Sequence, residues 1–314
     1  SPMPYRFKRR QPTAQGARRM AAEQIDRCLG EIEDPQLSDD HTVHQVRKRC
    51  KKLRALLRLI RYGLADSDTY KRENACFRDA ARSLSDARDA QVILDAFDAL
   101  QAGSGDGSPH PCTQSAAAAK PCIAPVREGL LACRDRSAGD AEEIDQALKA
   151  FSETIIAAKA RIEDWPIKDS GFDLLAGGLK RTYRRGRAAL KDALEDPTAE
   201  NLHELRKRVK YHRYQLRSLR DLWAGVVNAR RKQAAKLSTL LGDDHDLAVL
   251  RETLLAEPDT FGGSEAVAGA VDLIDASRLR YADRALALAR LIYVEKPKAF
   301  TRRMNGYWRN WRRG

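Results

Sequence analysis

Long apolar runs, closely paired cysteines and alternating strand patterns are all absent from this 314-residue sequence. No run reaches the roughly 18 apolar residues that indicate a membrane-spanning helix, and the start, SPMPYRFKRRQPT, lacks the apolar centre of a secretory signal. The six cysteines form no C-x-x-C pair, so we interpret them as reduced, structural thiols. These absences predict a cytoplasmic protein without a membrane span.

Acidic residues are fewer than basic ones, because 57 Lys and Arg outnumber 44 Asp and Glu and leave a formal net charge of +13. Such a surplus favours polyanionic partners, among them nucleic acid, polyphosphate and anionic membrane surfaces. The length permits one large domain or two smaller ones.

The spacing of apolar residues predicts an all-α fold. They recur at intervals of three and four over most of the chain, and Ala, Leu, Arg, Glu and Lys are abundant. We expect one helix to start with Asp196 as its N-cap and Pro197 at its first position, and a helix break at Gly242-Asp243. Residues 101–121 are rich in Gly, Ser and Pro, which predicts a flexible loop.

One basic segment occurs twice. VHQVRKRCKKLRALLRLIRYGL begins at residue 43 and LHELRKRVKYHRYQLRSLRDLW at residue 202, with nine identities in 22 ungapped positions. Almost all the identities are charged, so the repeat preserves polar surface rather than core. Helix geometry places an apolar stripe and a basic face on opposite sides of each copy. His212 falls in the apolar stripe, and we expect it to be a buried structural histidine.

The basic faces are candidate anion-binding surfaces. A single run of cations is usually a solvated face, but these cations repel one another and recur in the same register, which favours a bound anion. His44 and His203 stand in the first turn or so, where free amides and the helix dipole also attract anions. We define row one as His44, Arg47, Lys48, Lys51, Arg54 and Arg58, and row two as His203, Arg206, Lys207, Lys210, Arg213 and Arg217.

A second, shorter repeated segment follows each basic segment. LSDARDAQVIL begins at residue 84 and LGDDHDLAVL at residue 241. We expect Asp86 and Asp243 to cap helices. Asp89 and Asp246 either orient a neighbouring Arg or His through charge-assisted hydrogen bonds or are simply acids favoured at helix N-termini.

Together these features resemble the CHAD family, the conserved histidine α-helical domain. The resemblance rests on two H-x-x-R-K-R-x-K helices, at His44 and His203, each followed by L-[GS]-x-x-[RH]-D, and covers about residues 13–295. It implies two four-helix bundles related by a pseudo-twofold axis, around a central basic channel that binds inorganic polyphosphate.

The same resemblance implies which residues bind. It assigns binding to rows one and two, and more weakly to Lys180, Arg184 and Arg187 in the preceding basic helix GLKRTYRRGR and to Arg88 and His245 in the breaks. Two positions depart from the family pattern, since Ser85 replaces the usual Gly and His245 the usual Arg. These departures affect the geometry of the breaks more than the fold.

The resemblance further implies a non-catalytic binding module with no cofactor and no metal. The domain often accompanies a triphosphate tunnel domain with an E-x-E-x-K signature, which this sequence lacks. One alternative is a protein that binds nucleic-acid backbones, although only Tyr62, Tyr211 and Tyr214 lie near the basic faces for stacking. A metal-dependent phosphohydrolase built on His245-Asp246 is another, but it would need further ligands.

The expected boundaries follow from these patterns. We predict a flexible N-terminus over 1–12, a CHAD domain over 13–297 with halves 13–165 and 166–297, and a basic tail over 298–314. The tail contains Trp308 and Trp311 and could anchor to nucleic acid or a membrane surface, but we favour a short helix whose tryptophans pack on the bundle. The expected partners are polyphosphate and other polyanions, the expected location is the polyphosphate granule, and the oligomeric state stays open.

Overall fold

A computed structural model describes residues 5–84, 89–103, 113–137 and 141–314. Within these ranges the chain forms α-helices and no β-strand, which confirms the all-α prediction. The helices are α1 (Thr13–Ile32), α2 (Asp39–Ile60), α3 (Ser67–Arg82), α4 (Asp89–Gln101), α5 (Thr113–Ser137), α6 (Ala141–Ala160), α7 (Asp173–Glu195), α8 (Ala199–Ser218), α9 (Ala224–Ala256), α10 (Gly263–Ile292) and α11 (Pro297–Arg313). No helix in this described part has an apolar stretch long enough to cross a bilayer.

The two basic segments form α2 and α8, and each begins at a hydroxyl cap. Ser38 Oγ accepts a hydrogen bond from the amide of His41, and Thr198 Oγ1 accepts one from the amide of Asn201. The predicted N-cap of α8, Asp196, is therefore wrong. Asp196 instead ends α7, where its amide donates to the carbonyl of Asp192.

The predicted break at Gly242-Asp243 is also wrong, because α9 runs unbroken through it for 33 residues. Gly242 is buried, and a Cβ there would lie 3.9 Å from the guanidinium nitrogens of Arg206. This is an ordinary van der Waals distance, so the position has room for a Cβ, and Asp243 lies inside α9 and is not a cap. Its counterpart Asp86 lies outside the described residues.

The predicted loop over 101–121 is shorter than expected. Helix α4 ends at Gln101, and α5 begins at Thr113 rather than near Ile123, so 113–121 is helical. Its Ala-rich sequence, SAAAAK, explains the earlier start, since alanine is the best helix former. The intervening residues 104–112 lie outside the description.

The helices pack in three groups. Helices α1, α2, α3 and α6 contact one another, as do α7, α8, α9 and α11, and α2 joins the groups by contacting α7 and α8. The third group has its own core, in which Phe97 of α4 and Val126 of α5 pack with Leu250 of α9 and Ile274 of α10. Helices α4 and α5 thus pack on the second half of the chain, a departure from two self-contained sequential halves that follows from their apolar faces.

Both described ends of the chain belong to the main core. Tyr5 and Phe7 are buried, although residues 8–10 and Pro12 are exposed, so the described start of the segment predicted to be flexible is packed on the core. Two aromatic side chains one residue apart explain this, because burying each stabilises the fold by about 1.5–3 kcal/mol. Trp308 of α11 is 4% exposed and meets the Phe7 ring edge-on at 6.1 Å, which confirms that the tail is a helix packed on the bundle.

The apolar stripes of α2 and α8 are buried largely as predicted. His212 is 0% exposed among the rings of Tyr183, Tyr293 and Phe300, which confirms it as a buried core histidine. Trp223, which continues the stripe in the sequence, is instead 52% exposed. It lies in a short 3-10 helix after α8 and so leaves the α-helical phase.

Candidate anion-binding site

Rows one and two meet because α2 and α8 pack against each other. Burial, followed by the charges of Arg206 and Lys51, lowers the pKa of Lys210 to about 7. At another point of contact the guanidinium carbon of Arg58 lies 4.0 Å from the centre of the Tyr211 ring. The helices that carry the two rows are therefore in contact, and we call the two rows together the paired rows.

The packing of α2 and α8 is antiparallel. Burial and the charges of Arg49, Arg217 and Arg213 lower the pKa of Lys48, so the early part of row one adjoins the late part of row two. Counterparts in the repeat are 159 positions apart, as His203 is from His44. Lys51 and Lys210 are such counterparts, and the charge of Lys51 contributes to the lowered pKa of Lys210.

An asparagine of α3 holds two cations of row one. Asn74 Oδ1 accepts hydrogen bonds from Arg54 Nε at 3.3 Å and from Arg58 Nη1 at 2.6 Å. A neutral amide orients both guanidinium groups without cancelling their charge. His44, Arg47 and Lys51 are half-buried along the same helix.

Row two is partly neutralised at its start. Glu204 accepts from Lys207 Nζ at 2.5 Å and from Arg208, and Arg185 of α7 lies 3.9 Å away. Lys207 is otherwise exposed. The negative charge of Glu204 therefore offsets the charge of Lys207 more than the charges of the cations further along the helix.

Arg206, a member of row two, also lies near acidic residues of α9. Its Nη2 lies 3.8 Å from Asp246 Oδ1, while its Nε is buried and has no hydrogen-bond partner in the described part of the chain. Burial lowers the pKa of Arg206, and Asp246 opposes that effect. The orienting role of Asp246 stays a prediction, because 3.8 Å is longer than a hydrogen bond, and the side chain of its counterpart Asp89 lies outside the description.

The histidine at the head of row two is paired with a second histidine. His203 Nδ1 and His245 Nδ1 are 3.1 Å apart, so one ring must donate its N–H and the other must accept. Burial and the surrounding cations lower the pKa of both, that of His245 to about 4. The pair is thus neutral near pH 7. Within the described residues, no three His, Cys, Asp or Glu side chains converge as they would around a metal.

A family model described as the CHAD domain matches residues 19–255. This chain belongs to the CHAD family. Among solved structures it is similar to PptA from Streptomyces chartreusis, with a TM-score of 0.61 and 18% identity, over 91% of this chain and 100% of that one. At that identity the likeness shows the fold alone. No curated protein matches the chain.

The weaker candidates of this CHAD chain do not all approach the rows. Lys180 and Arg184 are exposed on α7, and Arg187 donates to the backbone carbonyls of Tyr293 and Glu295 at the end of α10. Arg88 lies outside the described residues.

Two other cations of α7, which the sequence did not single out, lie beside Tyr62, just after α2, and Glu204 of α8. Arg181 Nη1 donates to Tyr62 Oη at 3.1 Å, and Arg185 lies beside Glu204. Gly178 allows α7 to pack this closely on α2, because a Cβ there would lie only 2.0 Å from the carbonyl oxygen of Leu59 on α2. The Gly177-Gly178 pair was the available signal for the close approach.

Lys52 is the other cation missed in the sequence. It follows Lys48 by one helical turn, but the second copy has Tyr211 in its place, so the comparison of repeats passes over it. In the CHAD fold it is 2% exposed. Burial, then the charges of Arg49, Arg217 and Lys48, lower its pKa to about 7.

Proposed function

We propose that this protein binds inorganic polyphosphate along the paired rows and does not cleave it. The observation that carries the proposal is the packing of the two helices that bear the rows, where Arg58 of row one lies over the ring of Tyr211 on α8. Membership of the CHAD family supports the same conclusion.

The energetics of the paired rows favour an anionic ligand. The pKa values of Lys48 and Lys210 are lowered because burial and neighbouring cations both oppose their charge. A bound polyanion reverses that balance and adds charge-assisted hydrogen bonds to Lys and Arg. A chain of phosphates offers these contacts at regular spacing, matching cations that recur along two helices.

The tyrosines near the rows favour polyphosphate over single-stranded nucleic acid. Binding of single strands relies on aromatic rings that stack with bases. Tyr211 is already covered by Arg58, and Tyr214 is only 7% exposed. Tyr62, at 46% exposed, lies beside Arg61 and Arg181.

Comparing three ligands tests the proposal directly. Long-chain polyphosphate, double-stranded DNA and pyrophosphate are titrated at equal phosphate concentration and equal salt. We expect polyphosphate to bind most tightly, with an affinity that falls steeply as salt rises. Equal or tighter binding of DNA would overturn the proposal.

A double variant tests whether the paired rows form the site. Lys51→Met with Lys210→Met keeps side-chain length and removes two central cations. We expect an affinity for long-chain polyphosphate about 10- to 100-fold weaker and a salt slope smaller by about 2. The matched control, Lys149→Met with Lys298→Met, removes two exposed lysines elsewhere and should change affinity little. Equal losses in both would show that only net charge matters.

The absence of cleavage has its own assay. Purified protein is incubated with long-chain polyphosphate, with and without Mg²⁺ or Mn²⁺, and released phosphate is measured. We expect no release above the buffer control. Release that depends on His245 would favour a phosphohydrolase instead.

Binding of this kind would also bring the protein to polyphosphate granules. A fluorescent fusion should co-localise with stained granules, and the Lys51→Met, Lys210→Met double variant should be diffuse. Co-localisation that survives the double variant would contradict granule targeting through the paired rows.

A further inference from the structure

The repeat is broken at one buried position of the site. Lys52 and Tyr211 are counterparts, 159 positions apart. Tyr211 lies beneath the guanidinium of Arg58 at 4.0 Å. The counterpart of Arg58 is Arg217, and its charge acts on Lys52. At one end of the paired rows, Arg58 lies over the ring of Tyr211. At the other end, the counterpart residues are both cations, Arg217 and Lys52.

The Lys52 end concentrates positive charge in a buried place. Lys52 is 2% exposed, and the charges that act on it come from Arg27 of α1, Lys48 and Arg49 of α2, and Arg217 of α8. The carbonyl oxygen of Lys52 accepts a hydrogen bond from Tyr5 Oη.

The nearest acid at this end is already occupied. Glu31 Oε1 accepts from Arg49 Nη2 at 2.5 Å, and Glu31 Oε2 accepts from Arg49 Nε at 3.3 Å. This bidentate pair satisfies Arg49. It leaves Lys48, Lys52 and Arg217 as the group whose charge an external anion would offset.

The N-terminal arm, residues 5–12, covers this same end. Tyr5 Oη donates to the carbonyl of Lys52 at 2.9 Å, and the amide of Phe7 donates to the carbonyl of Ser218 at 3.0 Å. Arg220 Nη1 also donates to the carbonyl of Tyr5 at 3.4 Å. The arm thereby ties the middle of α2 to the end of α8 and closes one end of the paired rows.

A closed, highly charged end suits the terminus of a phosphate chain. An internal phosphate of polyphosphate carries about one negative charge, whereas a terminal phosphate monoester-like group carries about 1.5 to 2 near neutral pH. Resting on the function proposed above, we propose that Lys48, Lys52 and Arg217 form a subsite that recognises the terminal phosphate group of a polyphosphate chain. The opposite end has Tyr211 in place of Lys52 and binds internal phosphates.

Linear tripolyphosphate and cyclic trimetaphosphate distinguish the two modes, because both contain three phosphates and only the linear one has ends. Calorimetry on the full chain should show linear binding at least tenfold tighter than cyclic. In Lys52→Tyr, which copies the residue of the other end, and in Lys52→Met, which preserves length, this ratio should fall by about 10-fold. Thermal melting confirms that the variants are folded, and Lys52→Met serves if Lys52→Tyr does not fold.

Lys51→Met is the matched control, since it removes one cation from the middle of row one. It should weaken both short ligands equally and leave their ratio unchanged. An unchanged ratio in both Lys52 variants, with long-chain polyphosphate still bound, overturns the terminal subsite and leaves the proposed function standing. Failure of the wild type to bind long-chain polyphosphate overturns the proposed function itself.

Discussion

Arg58 of the first basic helix stacks on Tyr211 of the second, with the guanidinium carbon 4.0 Å from the ring centre. Burial lowers the pKa of Arg58, and Tyr211 opposes that effect. The contact joins one copy of the repeat to the other, so it links the stability of the helix pair to the placement of a cation of row one.

Removing the Tyr211 ring should therefore weaken both stability and binding. We expect Tyr211→Ala to lower the free energy of unfolding by about 1–3 kcal/mol, from lost packing and the lost cation–π contact. Urea unfolding measures the change. Tyr211→Phe is the control, because its ring still accepts the guanidinium and should cost under about 1 kcal/mol. Equal losses in the two variants would show that the hydroxyl, not the ring, makes the contact.

The sequence predicted the helices well because periodicity and caps are local signals. The all-α class follows from the spacing of apolar residues along the chain, and the buried His212 follows from its helical phase. Gly242 was misread as a break, because α9 runs through it without interruption. A glycine inside a helix and one that ends a helix look alike in one sequence.

The site itself was predicted in part. Repetition identified the rows, since counterparts such as Lys51 and Lys210 share a residue type. It could not identify Lys52, whose counterpart differs, or Arg181 and Arg185, whose direction depends on how closely α7 approaches α2. A comparison of the two copies that looks for identical residues cannot identify positions at which the copies differ.

Polyphosphate binding should take up protons above neutral pH. With its pKa at about 7, Lys210 is largely neutral at about pH 8 in the free protein. A bound anion favours the ammonium form and raises the pKa, so the lysine gains a proton on binding. Calorimetry at pH 8 in two buffers of different ionisation enthalpy measures the number taken up.

Lys210→Met should reduce that number, and Lys149→Met, at an exposed site, should not. Internal phosphates keep their charge over this range, so the uptake reports on the protein. Uptake that is zero in the wild type, or the same in Lys210→Met, would contradict the prediction. Affinity should accordingly decline as the pH rises from about 6 to 9.

Replacing Lys52 by methionine should stabilise the ligand-free protein. The pKa of Lys52 is about 7 in the fold against the usual 10.5 of a lysine, so below pH 7 the folded state has to hold a buried charge. That cost disappears progressively as the pH rises from about 7 to 10.5, because the unfolded chain then binds the extra proton. We expect Lys52→Met to gain about 1–3 kcal/mol at pH 6 and to lose this advantage by about pH 10. Denaturant unfolding at both pH values tests this, and a destabilised Lys52→Met at pH 6 would show that the ammonium has a structural partner.

His212 should make the fold sensitive to acid, and a leucine should remove that sensitivity. Burial, then the charge of Arg230, lowers the pKa of His212 to about 3. As the pH falls below about 6.5, the unfolded chain binds a proton that the folded core excludes, so stability is lost at about 1.4 kcal/mol per pH unit until the folded pKa is reached.

Leucine is the natural replacement, because Leu53 occupies the counterpart position and is fully buried. Both ring nitrogens of His212 are buried without a hydrogen-bond partner in the described part of the chain, so His212→Leu should also gain about 1–2 kcal/mol at pH 7. Urea unfolding of the wild type and His212→Leu between pH 7 and 4 should give diverging stabilities, with exposed His41→Leu as the control. Parallel curves would mean that His212 already carries its proton in the folded core, held by an acceptor that its aromatic surroundings do not supply.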